Sequence, residues 1–220
     1  MCVVFICHNM YGYQLVIAAN RDEILTRPTL SLFDWGHIIA GQDLKSKGTW
    51  LGLTRKGHFG VITNFKEDKR ESNSRGVLIP QYLTNPNNFE INDIYSGFNL
   101  VVGDLNHSKF YSNRGESLIL QGINGLANGH FHDEWPKVTN GKKRFEEILK
   151  DGRDLEARLF EFLGTKESGF QSTIFCDPFE TPDGLFGTRT QSVVIVKDNH
   201  CRFVERNMDG QETVIEFDIE

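Results

Sequence analysis

A cysteine directly after the initiator methionine is the first residue in this chain whose type and place could do chemistry. Cys2 is small enough for Met1 to be removed before it, and one residue would then hold both a thiol and a free α-amine. An α-amine titrates at about 7.7–8.0, so it can take the thiol proton near neutral pH without help from a histidine. A nucleophile activated in this way attacks acyl carbonyls and forms a covalent intermediate. The run Ala18-Ala19-Asn20-Arg21-Asp22-Glu23 places four polar residues abruptly after an apolar stretch. If the first two strands form a hairpin through Met10 to Tyr13, the end of the second lies near the chain start. Asp22 could then orient the α-amine, and Arg21 would lower the thiol pKa and favour thiolate. The competing reading of this tetrapeptide is a solvated turn with a surface ion pair.

The elements that must position these residues are mostly strands. β-type runs occur at 3–7, 14–19, 38–41, 50–53, 59–63, 98–102, 109–112, 118–121, 173–176, 192–197, 202–205 and 214–217, most of them bounded by Gly, Asn or Asp. The first run and Val193 to Val196 are apolar at successive positions, the pattern of strands covered on both faces. Helical spacing is seen at Phe145, Ile148 and Leu149, and at Leu155, Leu159, Phe162 and Leu163, with Gly152 and Gly164 as breakers. A shorter candidate holds Val77, Leu78, Gln81 and Tyr82 after Ser74, with Pro80 expected to weaken or kink it. Many strands with few helices point to an α+β fold, a four-layer α-β-β-α sandwich of antiparallel sheets. A β-sandwich with appended helices is the alternative. Residues 66–75 read as a polar turn, and no linker divides the 220 residues, so one domain spanning 1–220 is expected.

Composition narrows the partners. With 24 Lys plus Arg against 30 Asp plus Glu the net charge is −6 and no basic stripe is present, so nucleic acid is not an expected partner. No apolar run approaches the roughly 20 residues of a membrane span, and the N-terminus reaches His8 and Asn9 too soon for a secretory signal. A cytoplasmic address is expected, with an organelle lumen left open. Cys7, Cys176 and Cys201 lie in or beside apolar runs, where free cysteine is usually a small buried hydrophobe. His130, His132 and Asp133 stop short of a metal-ligand set, and no metal or cofactor is expected. The cluster Lys142-Lys143-Arg144 could receive an anion but reads first as a solvated charged face.

Met1-Cys2, Asn20-Arg21-Asp22-Glu23 and Gly48-Thr49-Trp50-Leu51-Gly52 together resemble the NRDE family. The pattern continues through Thr63-Asn64-Phe65, Ser74-Arg75-Gly76, Gly97-Phe98-Asn99-Leu100, Asn113-Arg114-Gly115 and Gly125-Leu126-Ala127-Asn128. It then runs to Trp135-Pro136-Lys137-Val138, Phe186-Gly187-Thr188-Arg189-Thr190 and Glu205-Arg206, covering essentially the whole chain. The resemblance implies an N-terminal-nucleophile (Ntn) hydrolase fold similar in outline to choloylglycine hydrolases and penicillin V acylases. By that likeness Cys2 is the nucleophile, Asp22 its partner carboxylate, Asn64 an oxyanion donor and Asn128 a second active-site amide. Asn20 and Arg189 would contact substrate. The arginine those relatives carry just before the Asn-x-Asp element falls at Ala19 here. Arg21 or Arg189 would have to supply the cation, and Arg21 would need a bend or bulge, since on a regular strand it points away from Asn20 and Asp22. The expected function is hydrolysis of a small amide or thioester. The alternative is a non-catalytic module carrying a hydrophobic ligand, with haem or lipid and acyl-coenzyme A the ligands the resemblance implicates.

Overall fold

The computed structural model describes residues 2–65, 67, 73–92 and 94–220. Position 1 and most of the polar segment expected at 66–75 lie outside the described residues. In chain order the elements are β1 (Val3–Met10), β2 (Tyr13–Ile24), β3 (Thr29–Asp34), β4 (Ile39–Asp43), β5 (Leu51–Leu53), β6 (Phe59–Asn64) and α1 (Leu78–Thr84). There follow β7 (Phe98–Gly103), β8 (Ser108–Ser112), β9 (Ser117–Leu120), β10 (Gly122–Leu126), α2 (Pro136–Asp151) and α3 (Leu155–Leu163). The chain closes with β11 (Phe179–Thr181), β12 (Gly184–Lys197), β13 (His200–Asn207) and β14 (Glu212–Asp218). One antiparallel sheet runs β10-β1-β2-β12-β13-β14, with β11 paired to β12. The other runs β3-β4-β5-β6-β7-β8-β9.

The four layers follow from which side chains each face buries. Val4, Ile6, Leu15 and Ile17 of the first sheet meet Leu51, Phe59, Val61 and Val101 of the second in the central core. The opposite face of β1 and β2 sends Val3, Phe5, Val16 and Ala18 against Phe145, Leu149, Leu159 and Phe162 of α2 and α3. Leu78, Ile79 and Leu83 of α1 cover the outer face of the second sheet at Ile62, Phe98 and Leu100. The molecule is therefore an α-β-β-α sandwich, and β1 reads as a continuous apolar run because a core lies on each side of it.

The chain ends of the first sheet are fixed by a two-residue hairpin. Met10 pairs with Tyr13 across Tyr11 and Gly12, which have φ of 55° and 80°. Positive φ at both turn positions matches the right-handed twist of the flanking strands, so the turn holds the register. That register carries through to Val3 opposite Asn20.

Three sequence expectations change. Residues 173–176 form a loop, because their backbone groups are bonded singly, by side chains and by scattered backbone groups such as the Thr165 carbonyl, instead of in a ladder. Asn20 Nδ2 donates to the Ile174 carbonyl at 3.0 Å, and the Cys176 N–H donates to Thr188 Oγ1 at 2.8 Å. β3, β10 and β11 were not expected from their residue types. Pro80 leaves α1 intact, since it is the third residue of the helix, where its missing N–H has no carbonyl to meet.

α2 approaches β1 closely at Gly141, where any Cβ would clash with the edge of the Phe5 ring, 2.4 Å from Cζ. Gly141→Ala is therefore expected to lower stability by about 1–3 kcal/mol, the usual cost of overpacking a core. An exposed helix glycine would gain from the same change, so an unchanged or raised melting temperature would refute this close packing.

Candidate active site

The Val3–Asn20 pairing sets Cys2 beside Arg21 on the same face of the sheet, since opposed residues of an antiparallel pair share a face. Cys2, Arg21, Asp22 and Asn64 line one cleft of about 140 Å³, together with Glu23, Arg27, Asp43, Trp50, Ile62 and the segment 74–76. Asn64 comes from the end of β6 in the second sheet, so the cleft opens where the two sheets part. Its far wall is held by a hydrogen bond from the Thr49 N–H to the Gly76 carbonyl at 3.0 Å. The crossing is tight enough that a Cβ at Gly48 would strike the Gly76 backbone.

No bend in β2 is needed to bring Arg21 to Cys2. Arg21 does point away from Asn20, and Cys2 lies on the same side as Arg21. The irregularity sits in the partner strand, where the register between β2 and β12 shifts between Thr188 and Thr190. This bulge leaves Thr188 opposite Asp22, and Thr188 Oγ1 donates to Asp22 Oδ1 at 2.6 Å.

Arg21 is nearly buried and its charge is matched on several sides. Its guanidinium lies 4.3 Å from the centre of the Trp50 ring. Nη2 bonds Asp43 Oδ2 at 3.0 Å and lies 3.9 Å from Glu23, while Nη1 donates to Thr29 Oγ1 at 3.2 Å. Arg27 also binds Asp43, whose Oδ1 accepts the Lys45 and Ser46 N–H groups at 3.0 and 2.9 Å. Burial pushes the Asp43 carboxyl up, but Arg27, the Ser46 amide and Arg21 together hold it below its ordinary value.

The nucleophile candidate is held as a thiol. Burial raises the Cys2 pKa; the positive chain terminus, a backbone hydrogen bond from Asp22 and the Arg21 charge pull it down, while the Asp22 charge raises it further. The thiolate expected from the neighbouring arginine is thus outweighed by desolvation, because much of the arginine's field is spent on Asp43 and Glu23. Burial also lifts Asp22, to about 6, against the positive chain terminus, the Thr188 hydroxyl and the charge of Lys137. Cys7 and Cys201 are buried and rise to about 11 and about 12.

The remaining expected residues take other places. Asn20 is 1% exposed, and its Nδ2 donates to the Leu163 and Ile174 carbonyls at 2.9 and 3.0 Å while Oδ1 accepts from Gln191. It ties β2 to the α3 layer and is not among the residues that line the cleft. Arg189 sits in the β12 bulge, donates to the Arg27 carbonyl at 3.3 Å and is absent from the cleft lining. Asn128 donates its Nδ2 to the Asn64 main-chain carbonyl at 2.7 Å, leaving its buried Oδ1 without a partner among the described residues. Its loop is braced by Thr63, which donates to the Ala127 carbonyl, and by Asn99, which donates to the Gly129 carbonyl, both at 2.7 Å. His130 and His132 join no group of three or more metal-ligating side chains among the described residues. Arg144 of the basic cluster lies over the Phe162 ring at 5.6 Å.

Sequence reasoning named no role for Asp43, Trp50, Thr188 or Lys137. Trp50, Thr188 and Lys137 were visible only as parts of motifs, and Asp43 belonged to none.

The chain matches the family model described as Transport and Golgi organisation 2 over residues 1–210. The Transport and Golgi organization protein 2 homolog of Bos taurus is 30% identical, covering 96% of this chain and 95% of that protein. The Transport and Golgi organization protein 2 of Drosophila melanogaster is also 30% identical, covering 96% and 93%. Among solved structures, a Caenorhabditis elegans ortholog of N-acylethanolamine-hydrolyzing acid amidase superposes with a TM-score of 0.55 at 14% identity, covering 88% of this chain and 92% of that one. A mutant of the conjugated bile acid hydrolase of Clostridium perfringens gives 0.53 at 9% identity, covering 99% and 92%. At these identities the structures show a shared Ntn-hydrolase fold. No helix among the described residues is long and apolar enough to cross a membrane.

Asp43→Asn is expected to cost about 3 kcal/mol at neutral pH, the scale for removing one partner of a buried ion pair. Because the folded Asp43 pKa is depressed, its contribution is present above the unfolded value of about 3.9 and is lost as pH falls through the lower folded value. Urea denaturation of both proteins should thus show a gap at pH 7 that narrows as pH falls below about 3.9. A gap independent of pH would remove the ion pair as its cause.

Proposed function

The chain belongs to the Transport and Golgi organisation 2 family, and we propose that it is an N-terminal cysteine hydrolase cleaving a small amide or thioester through an acyl-enzyme on Cys2. The observation that carries this reading is the convergence of Cys2, Arg21, Asp22 and Asn64 on one cleft. Loss of Met1 would give Cys2 the free amine that its protonated thiol needs. The amine takes the thiol proton as sulfur adds to the carbonyl, and returns it to the departing amine or thiol. Water then adds to the acyl-enzyme with the same amine as base, regenerating the thiol and releasing the acid. Asp22 holds the amine in place, with Thr188 orienting its carboxylate.

Asn64 is the proposed side-chain donor to the oxyanion. Asn128 serves it indirectly by gripping its main-chain carbonyl, and its free Oδ1 is an acceptor suited to an ammonium group. Arg21 contributes field at the cleft base and keeps its bonds to Asp43. The acid amidase and bile acid hydrolase that share the fold support acyl transfer as the reaction class. The lining sets Trp50 and Ile62 beside Arg21, Asp22, Glu23, Arg27, Asp43 and Arg75, and a groove of about 940 Å³ that shares Glu23, Arg27, Asn64, Ser74 and Arg75 adds Phe65, Pro182 and Phe186, so a substrate with polar and apolar parts fits this surface.

Two tests follow from this arrangement. Intact mass is expected to place the mature N-terminus at Cys2, and a thiol-selective electrophile should label Cys2 before Cys7, Cys176 or Cys201. A retained Met1, or equal labelling of all four in the folded protein, would sink the mechanism.

Asp22→Asn should slow acylation by about 10²–10⁴, the range for a disabled acid–base partner, without lowering the melting temperature at pH 7. The folded Asp22 pKa is raised to about 6, so its stabilisation is present below the unfolded value of about 3.9 and is lost as pH rises through 6. Cys2→Ala should abolish covalent turnover. Wild-type single-turnover rates in both variants at wild-type stability would exclude catalysis by Cys2.

A further inference from the structure

We propose that Glu205 is a positioning residue for the cleft: from between the sheets it fixes the rim of Trp50, and through Trp50 the seat of Arg21. The role rests on the hydrolase reading for its purpose. Glu205 lies on β13 and is 1% exposed. It faces the second sheet, where its Oε1 accepts the Leu32 N–H of β3 at 3.0 Å. Arg206, the next residue, points the other way, and its guanidinium lies 3.8 Å from the centre of the Phe160 ring of α3. The second oxygen of Glu205, Oε2, has no hydrogen-bond partner among the described residues.

What Oε2 meets is the backbone of β4 at Gly41. A Cβ there would stand 3.0 Å from Oε2, and 2.5 and 2.7 Å from Cη2 and Cζ2 of Trp50. The carboxyl and the six-membered rim of the indole thus share the space above one bare Cα. The face of the same indole holds the Arg21 guanidinium 4.3 Å from its centre, and Trp50 and Arg21 line the cleft together with Cys2. An aromatic ring is positive at its edge and negative on its faces. Trp50 therefore turns its rim toward an oxygen and its face toward a cation, the favourable sense at each. Every link from Glu205 to the cleft is a direct contact.

The carboxyl can change charge in this place. Ser192 is paired with Glu205 across β12 and β13, and its hydroxyl has no partner among the described residues. A hydroxyl accepts from a neutral acid or donates to a carboxylate. Burial raises the Glu205 carboxyl to about 7, against the Leu32 N–H and the charges of Arg21 on β2 and Arg189 on β12. Asp43, two residues beyond Gly41 on β4, is bound to Arg21 and Arg27. The neighbours from β3 and β14, Leu32 and Thr213, do not titrate. Glu205 is thus neutral below that value and charged above it, and its charged form draws on the same arginine as Asp43.

Fluorine NMR of protein carrying fluorotryptophan reads Trp50 directly, its signal identified by its loss in Trp50→Phe. That resonance is expected to titrate with a midpoint of about 7, to do so still in Asp22→Asn, and to lose the transition in Glu205→Gln. Glu205→Leu keeps the volume but removes the oxygen at the indole rim. It should melt at or above the wild-type temperature, since apolar residues often replace buried ionisable ones without loss. Acetylation of Cys2 by p-nitrophenyl acetate, read by intact mass, should nonetheless slow in Glu205→Leu by about tenfold to 10²-fold, the scale of a misplacement of about 1 Å. If Glu205→Gln does not fold, Glu205→Leu serves the fluorine comparison as well. A flat Trp50 resonance in the wild type, the same titration in a folded Glu205 variant, or unslowed acetylation in Glu205→Leu overturns the proposal. A Glu205-dependent titration of Trp50 with no acetylation of Cys2 in the wild type leaves the coupling standing and removes the hydrolase reading.

Discussion

The register of the β1–β2 hairpin is the constraint on which the cleft depends. The left-handed pair Tyr11 and Gly12 lets the two strands leave the turn opposed, and each later pair inherits that alignment as far as Val3 and Asn20. A slip of one residue would turn every side chain of β1 to the other face. Phe5 would leave α2 and α3 for the central core, and Cys2 would leave the side on which Arg21 lies. Burial on both faces of β1 makes such a slip expensive, so the packing that stabilises the sandwich also fixes the chain start.

Alternation along β2 then divides its last residues by task. Asn20 faces the helices and satisfies carbonyls of α3 and the following loop, while Arg21 faces the second sheet and reaches Asp43 of β4. The Arg21–Asp43 bond spans the sandwich at the edge of the cleft, so the charge cluster is also a clamp between sheets. Its arginine can remain buried because Trp50 and two carboxylates replace the water it has lost. The bulge in β12 completes the arrangement by setting the Thr188 hydroxyl against Asp22.

The layered fold and the junction of Cys2 with Arg21, Asp22 and Asn64 were legible because they rest on signals local to the sequence. These are apolar runs, a turn containing glycine, and a polar tetrapeptide at a strand end. β10 was not legible, since Gly-Ile-Asn-Gly-Leu has poor strand character and becomes a strand by pairing with β1. The loop at 173–176 misled in the opposite direction. Its residues suit a strand, but Asn20 and Thr188, far away in sequence, and the nearer Gly169 and Thr165 carbonyls take its hydrogen bonds one at a time. Asn20 and Asn128 take their expected roles from likeness alone, and no spacing rule reports that their amides meet the carbonyls of Leu163, Ile174 and Asn64. The aromatic seat of buried Lys137 was equally invisible, because it takes Trp135 close by and Phe170 from a loop beyond α3.

Several ionisable groups at this end of the molecule are held against their ordinary preferences. Burial lifts Asp22 to about 6 and Glu205, whose Oε2 has no partner among the described residues, to about 7. Raised carboxyl values favour the folded state below the unfolded range near 4 and cease to do so as pH rises through the folded values. Lys137 is shifted the other way, so its ionised form is also disfavoured by folding. None of these three groups therefore stabilises the fold through its charge at neutral pH. The apolar layers above and below must offset that deficit, and they hold Phe5, Phe59, Phe145 and Phe162 in full burial. A protein selected only for stability would fill these positions with hydrophobic residues of similar volume. Two buried carboxyls on the first sheet, Asp22 and Glu205, and a buried lysine in the helical layer, Lys137, are retained instead, and buried titratable groups of this kind cluster at functional sites.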